Sequence, residues 1–429
     1  MKTKALRLYG INDIRLDEFE LPEIRYDEIL AKVVSDSICM SSHKLAMLGA
    51  KHKRVRHDLN KQQPIIGHEF CGIIERVGTR WADQFKAGDK FVIQPALNYL
   101  ETDGTRGIWA PGYSYEFIGG NATYIIIPKE VMEMGCLLDY SADNFYMGSL
   151  AEPVSCVIGA FHAHYHTKSG SYIHSMGIVE GGTMALLAGA GPMGLGAIDY
   201  AIHNPRRPAR LIVTDINEQR LKQAAELLTV EEAKKNGVEL HYVNSADLSG
   251  DSSDVTEQLK SLNGGLLFDD VFVFAPVKSL IELGDRLLGR DGCLNFFAGP
   301  TDKDFAASFN FYNVHYDGHH IVGSSGGNTD DMKEAIAMMT EGKLNPVFMI
   351  THIGGLDAAA KTTIELDKIP GGKKLIYTHK RLPLSAIDDF QALGKTDPFF
   401  KELAGICSRH KNLWNAEAEK YLLQNAQDI

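Results

Sequence analysis

The run Gly189-Ala190-Gly191-Pro192-Met193-Gly194 stands directly behind the apolar segment Met184 to Ala188 and opens a stretch, Leu195 to Ala201, that reads as a helix. Three glycines at this spacing are weak evidence in isolation. Between a strand and a helix they are constraining: the first gives a tight turn, the second lets the backbone approach a pyrophosphate, and the third lets helix and strand touch. The helix N-terminus then faces the phosphates. Asp215 ends the next apolar run, Leu211 to Thr214. A carboxylate there hydrogen-bonds the ribose hydroxyls and repels a 2′-phosphate. The middle of the chain is thereby committed to a doubly wound parallel sheet that binds a dinucleotide, NAD(H) in preference to NADP(H). Its cofactor-binding residues are expected to be Gly189, Gly191, Pro192, Met193, Gly194 and Asp215.

The 429 residues are enough for two domains. Residues 1–155 are rich in short alternating strands broken by Gly and Pro: Ile29 to Ser35, Phe70 to Val77, Lys90 to Gln94 and Thr123 to Ile127. From 156 to 345 apolar runs alternate with helical stretches, the pattern of a parallel sheet with crossover helices. Strand-like segments return at Phe348 to His352 and Lys374 to Thr378, with a helix at Leu356 to Leu366 between them, and these pieces are expected to complete the first domain. Residues 381–429 form an extension with helices at Pro398 to Cys407 and Asn415 to Gln424. Its Phe399, Phe400, Leu403, Trp414, Tyr421 and Leu422 offer an apolar face to the body or to a partner subunit.

The first domain carries a metal-binding constellation. His68 and Glu69 interrupt an apolar strand start in Pro64-Ile65-Ile66-Gly67-His68-Glu69-Phe70, with Cys39 upstream and Ala151-Glu152-Pro153 far downstream. A lone cysteine is more often a small core residue than a ligand, and a lone histidine is more often structural. Burying an imidazole beside a carboxylate is expensive unless the two bind something. A catalytic zinc takes about three protein ligands from thiolate, imidazole and carboxylate and keeps one position open. Cys39, His68 and either Glu69 or Glu152 supply such a set. A Lewis-acid metal together with a nicotinamide dinucleotide points to hydride transfer at an alcohol or carbonyl carbon.

A net charge of -11 argues against a nucleic-acid partner. Six cysteines without paired spacing argue against a disulfide framework, and neither a signal peptide nor an apolar run long enough to span a bilayer is evident. A cytoplasmic enzyme without membrane contact is expected. His162, His164 and His166 suggest a second metal only weakly, because on a helix only the first and last share a face. His315, His319 and His320 flank a strand and are assigned to local hydrogen bonding.

With Gly67-His68-Glu69, Gly119-Gly120-Asn121-Ala122-Thr123-Tyr124, Ala151-Glu152-Pro153 and the GAGPMG fingerprint in that order, the chain resembles the zinc-dependent medium-chain dehydrogenases over residues 1–380. That resemblance implies a GroES-like β-rich catalytic domain and a Rossmann cofactor domain. It also implies Cys39 and His68 as zinc ligands, Glu152 in the third protein position or holding it through water, and Glu69 ligating directly or lying just behind the metal. Ser41 matches the hydroxyl that passes the substrate proton onward, with His43 as a possible next member of the relay. The usual Asp of the relay segment is replaced by Ser42, and the relay histidine is displaced by one residue, with Lys44 in its place. No cysteine lies between Cys71 and Cys136, so the four-cysteine lobe that many members carry is missing and one zinc is expected. The residues from His164 to Gly182 are an insertion of unassigned role. Homodimers or homotetramers are expected by analogy.

Lys51-His52-Lys53-Arg54-Val55-Arg56-His57 concentrates four formal positive charges in an acidic chain. Such a loop can simply be solvated. In the resembling family this segment lies near the substrate, so Lys51, Lys53, Arg54 and Arg56 are candidates for holding a phosphate. That favours a sugar or polyol phosphate over an unphosphorylated polyol or secondary alcohol such as sorbitol, xylitol, threonine or butanediol. A zinc-free quinone reductase of the same architecture is disfavoured by the Cys39, His68, Glu152 set.

Overall fold

A computed structural model describes residues 1–97, 109–168, 170–248 and 252–429. The chain forms two compact units. The first comprises Met1–Pro153, Asn328–Gly342 and Pro346–Ile429, and the second comprises Val154–Gly327 and Lys343–Asn345.

The first unit is built on an eight-stranded sheet among the described residues. Strand Ile29–Ile38 runs through it, pairing antiparallel with Phe70–Val77, Tyr124–Ile127 and Lys373–Tyr377. Alternation along that strand sends Ile29, Ala31 and Val33 into a core with Phe70, Ile74, Phe91 and Ile125. Register then dictates where chemistry can sit. Asp36 lies opposite Phe70, and Ile38 lies opposite Lys374. Cys39 just after Ile29–Ile38, His68 and Glu69 just before Phe70–Val77, and Lys373 at the start of Lys373–Tyr377 therefore meet at one end of the sheet.

The extension from 381 onward belongs to this unit. Its Phe399, Phe400, Leu403, Trp414, Tyr421 and Leu422 join one hydrophobic cluster with Tyr146, Leu150, Ile353, Leu375 and Tyr377. Helices occur at Pro398–Arg409 and Ala416–Asn425, the second capped by Asn415, whose side chain accepts from the Ala418 N–H. One expectation for the region between the units' segments shifts: Pro346–Met349 is a 3₁₀ turn, and the strand begins only at Ile350. Pro346 opens that turn, its fixed φ suiting a first helical position, and the turn takes up Phe348 and Met349 before pairing begins.

Among the described residues the second unit is built on a six-stranded parallel sheet in the order Glu239–Asn244, Arg210–Asp215, Thr183–Leu187, Phe268–Val273, Leu288–Phe296, His320–Val322. The first strand in sequence is Thr183–Leu187. From it the chain winds outward to one side and then returns to the other, so its carboxyl end is the topological switch point where such sheets bind ligands.

The three histidines 162, 164 and 166 do not share a helix, contrary to expectation. The helix Ala151–Ala163 ends before His164, and Tyr165–Thr167 is a strand pairing with His174–Met176 in a small hairpin. His164 and His166 instead converge on buried Asp270, with Nδ1 of His164 and Nε2 of His166 at 2.6 and 3.0 Å from the same carboxylate oxygen. Donor atoms of the three residues lie within 4.8 Å of one another. The other nitrogen of His166 stands 2.8 Å from the Asp291 carbonyl and must carry its hydrogen to bond it. A proton on each nitrogen of His166 satisfies that ring, while His164 Nε2 is buried without a hydrogen-bond partner. Consistent with that, the two imidazoles hold the Asp270 carboxyl down at about 2 against the opposing effect of burial. The cluster thus acts as an internal ion pair fastening the hairpin to the sheet.

Candidate functional site

Cys39 caps the helix Met40–Leu48 immediately after the central strand. Gly67 positions the other half of the site. Its φ is +96°, and a Cβ there would fall 2.3 Å from the Asn121 side-chain nitrogen. The Gly120 N–H donates to the Gly67 carbonyl at 2.8 Å, which locks the Gly119-Gly120-Asn121 segment onto the loop carrying His68 and Glu69.

At this sheet end Cys39, His68 and Glu69 offer sulfur, nitrogen and oxygen within 4.8 Å of one another. Ser42 Oγ stands 3.4 Å from His68 Nδ1, and the other nitrogen, Nε2, is on the side of Ser41, whose hydroxyl also reaches Cys39. Ser41 Oγ lies 3.1 Å from that Nε2 and donates to Cys39 Sγ at 3.0 Å. Burial, then Lys373 and Arg54, pull the His68 imidazolium down to about 3, which keeps the ring neutral and able to ligate. Burial, then Glu69, push the Cys39 thiol up to about 12. A bound dication reverses that second shift, and neutral imidazole with thiolate and carboxylate is zinc chemistry. Glu152 is buried and its charge acts on Cys39, Tyr113 and Lys373, so it borders the same cluster.

Sequence reasoning missed two residues. Lys373, at the start of its strand, is buried and holds both carboxylate oxygens of Glu69 at 2.5 and 2.7 Å. Burial works against its ammonium, yet the Glu69 carboxylate holds its pKa above the ordinary value. Tyr113 Oη stands 3.3 Å from His68 Nε2. Its motif signal is nil, since it lies in a glycine- and tyrosine-rich stretch without periodicity. Burial pushes its phenol up, with Cys39 adding to the effect.

His43 is buried, with Nδ1 3.0 Å from the Thr363 carbonyl and Nε2 3.9 Å from an Asp367 carboxylate oxygen. Those contacts lead from the helix toward a half-exposed acid. In the basic loop the four cations are placed differently. Lys51, Lys53 and Arg56 are exposed, whereas Arg54 is half-buried, its guanidinium carbon 4.9 Å from the Tyr113 ring centroid. Arg56 lies 5.9 Å from the Trp109 ring centroid.

In the second unit residues 189–194 make a tight turn after the strand Thr183–Leu187 and open the helix that follows. Gly189 N–H donates to the Thr214 carbonyl at 2.8 Å, and a Cβ on Gly194 would lie 2.0 Å from the Gly189 oxygen. A Cβ on Gly191, by contrast, would meet nothing within 4 Å, leaving open space before the helix Pro192–His203. Pro192 is its first residue and Met193 follows in the first turn. Asp215 ends its strand and accepts from the Ala190 and Asn217 N–H groups at 3.2 and 3.0 Å.

Residues 25–134 match the alcohol dehydrogenase GroES-like domain, and residues 192–341 match the zinc-binding dehydrogenase family. Mannitol-1-phosphate 5-dehydrogenase of Aliivibrio fischeri is 54% identical over 99% of this chain and 98% of its own length. The chain belongs to the zinc-binding alcohol dehydrogenases. L-sorbose 1-phosphate reductase of Klebsiella pneumoniae is 49% identical to this dehydrogenase, over 100% of the chain and 98% of the relative. A zinc-binding dehydrogenase from Sinorhizobium meliloti 1021, solved with NADP, shares the fold, with a TM-score of 0.68 at 19% identity over 88% of this chain and 99% of that one. This dehydrogenase is thus a zinc-dependent oxidoreductase with a nicotinamide cofactor, a GroES-like domain and a Rossmann domain. Among the described residues no helix is long and apolar enough to cross a membrane.

Proposed function

We propose that this dehydrogenase interconverts a ketose phosphate and a polyol phosphate with NAD(H), the best candidate pair being L-sorbose 1-phosphate and D-glucitol 6-phosphate. The observation that carries the phosphate is Arg54, the one cation of the basic loop that turns in toward Tyr113 and His68. The relatives that match over the whole chain include two named for phosphorylated substrates. Under this reading the first unit, including residues 346–380, is catalytic, the second binds the cofactor, and 381–429 is an extension of the first.

Cys39 and His68 are assigned as zinc ligands. Both Glu69 oxygens already hold an ammonium, so Glu69 is assigned to stand behind the metal and Glu152 to complete the set, directly or through water. When bound, zinc would polarise the substrate carbonyl oxygen and so favour hydride transfer from the reduced nicotinamide. Ser41 is placed to protonate that oxygen. His43, tied to Thr363 and Asp367, is the next candidate for carrying the proton outward. Catalysis needs this one zinc. The sheet-edge strand His320–Val322, with Ile321 exposed, is a pairing surface for a homodimer or homotetramer.

The test is NADH oxidation by the zinc-loaded protein with L-sorbose 1-phosphate beside unphosphorylated L-sorbose, repeated after chelation. A preference of about a hundredfold for the phosphorylated ketose is expected, lost on chelation. Arg54→Ala should lower kcat/KM for the phosphorylated substrate by about 10- to 100-fold, the worth of one charge-assisted contact, and lower it several-fold less for L-sorbose, which has no phosphate to lose. Equal activity on L-sorbose would make the enzyme a plain polyol dehydrogenase. For the cofactor, Asp215→Ser should raise NADPH use relative to NADH by about tenfold or more, because the carboxylate that repels a 2′-phosphate is gone. An unchanged ratio in the same assay would remove Asp215 from cofactor selection.

A further inference from the structure

Two hydroxyls converge on Nε2 of His68: Ser41 Oγ at 3.1 Å and Tyr113 Oη at 3.3 Å. Ser41 has a role in the reading above, but Tyr113 has none. Its ring is braced on several sides. His52 stacks on it at 5.5 Å and 13°, His68 lies against it at 4.9 Å, and the Arg54 guanidinium sits 4.9 Å from its centroid. Ser114, the next residue, donates its hydroxyl to the Arg54 carbonyl at 2.8 Å, so the basic loop and Tyr113 are fastened together. A buried tyrosine fixed this way keeps its hydroxyl aimed at one point at little further cost in conformational entropy.

We propose that Tyr113 is a catalytic residue that donates a hydrogen bond to the reacting oxygen, and that Arg54 across its ring restricts the substrate to ketoses phosphorylated on the carbon next to the carbonyl. The inference rests on the phosphorylated-substrate reading. A substrate oxygen held at the metal would lie where both hydroxyls point, and a preorganised donor there acts on charge that develops as hydride arrives. Span decides the position of the phosphate. With carbon–carbon bonds of about 1.5 Å, phosphorus on the neighbouring carbon lies roughly 4 Å from the carbonyl carbon, and on a carbon four places further along an extended chain roughly 8 Å or more. A single phenol ring separates Arg54 from the hydroxyl, which matches the shorter span. A remote phosphate would have to find a different cation, and the other three of the loop, Lys51, Lys53 and Arg56, are exposed.

Four substrates separate the possibilities: L-sorbose 1-phosphate, L-sorbose, and the pair D-fructose 1-phosphate and D-fructose 6-phosphate, which differ only in the position of the phosphate, each with wild type and Tyr113→Phe. Wild type should prefer D-fructose 1-phosphate over D-fructose 6-phosphate by about 50-fold or more in kcat/KM. Tyr113→Phe should lower kcat on L-sorbose 1-phosphate by about 10² to 10³, as loss of an oxyanion donor does, while KM moves less than about threefold. Zinc content by elemental analysis and calorimetric binding of L-sorbose 1-phosphate to the enzyme–NAD⁺ complex should match wild type, which a collapsed site would not allow. Comparable rates on the two fructose phosphates would overturn the position of the phosphate. A kcat within threefold of wild type would overturn the role of Tyr113. If none of the three phosphates outperforms L-sorbose, the phosphorylated-substrate reading itself falls and takes this inference with it.

Discussion

Lys373→Met should lower the unfolding free energy of the zinc-free protein by about 3–5 kcal/mol, the cost of leaving one member of a buried ion pair uncompensated. Glu69 is almost wholly inaccessible, and both of its oxygens are held by the Lys373 ammonium. Removing the cation while keeping side-chain length strands the carboxylate beside Cys39, with no route to water short of opening the sheet end. The loss should be smaller in zinc-loaded protein, because a dication at the proposed ligands Cys39 and His68 would supply part of the missing positive charge. The double variant Lys373→Met with Glu69→Leu should recover most of the stability, since replacing both partners by apolar groups removes two desolvation costs together. All three tryptophans, Trp81, Trp109 and Trp414, belong to the first unit, so their fluorescence during denaturant titration reports on that unit alone. A single variant within about 1 kcal/mol of wild type in chelator would show that the pair does not anchor the site.

That pair also marks the limit of what the sequence discloses. Cys39, His68 and the fingerprint glycines are legible because each sits where a local pattern breaks: polar residues at the start of an apolar strand, or glycines between a strand and a helix. The strands are legible because both faces are covered, as in Met184 to Leu187, or because burial alternates, as in Ile29, Ala31 and Val33. Lys373 lies 304 residues from Glu69 and is followed by a second lysine, so nothing local says which of the two turns inward to a carboxylate. Arg54 is one cation among four, and only the packing of Tyr113 selects it. The histidines at 164 and 166 follow a helix without a breaker between, and it is the long-range pull of Asp270 that places them off it. Chain order thus discloses the residues proposed as ligands, while the groups that tune them are fixed by contacts between strands distant in sequence.

Glu419 gives a second large effect, in the extension to which the sequence assigned no role. Its carboxylate accepts from the Phe145 and Tyr146 N–H groups at 2.7 and 2.8 Å and from the Tyr377 hydroxyl at 2.8 Å, and Trp414 Nε1 donates in turn to that hydroxyl at 2.8 Å. It thereby caps, from the far end of the chain, the short helix Tyr146–Ser149 that leads into Ala151 and Glu152. Burial pushes its pKa up to about 7 from an ordinary 4.5, although these hydrogen bonds and Lys90 pull the other way. The folded state therefore holds a proton that the unfolded chain has released between those two values. Stability from this group is present in full below pH 4.5 and is lost as pH rises through 7, a change of about 3 kcal/mol for a shift of this size. Glu419→Gln is neutral throughout and cannot offer two acceptor oxygens to the backbone, so it should be less stable than wild type at pH 5. From pH 5 to pH 8 the gap should close by about 2–3 kcal/mol, and tryptophan-monitored denaturation at both values measures it. A gap constant to within about 1 kcal/mol would mean that Glu419 is ionised in the folded protein throughout. Closure of the predicted size would mean that the extension grips the approach to Glu152 more tightly in acid than at neutral pH.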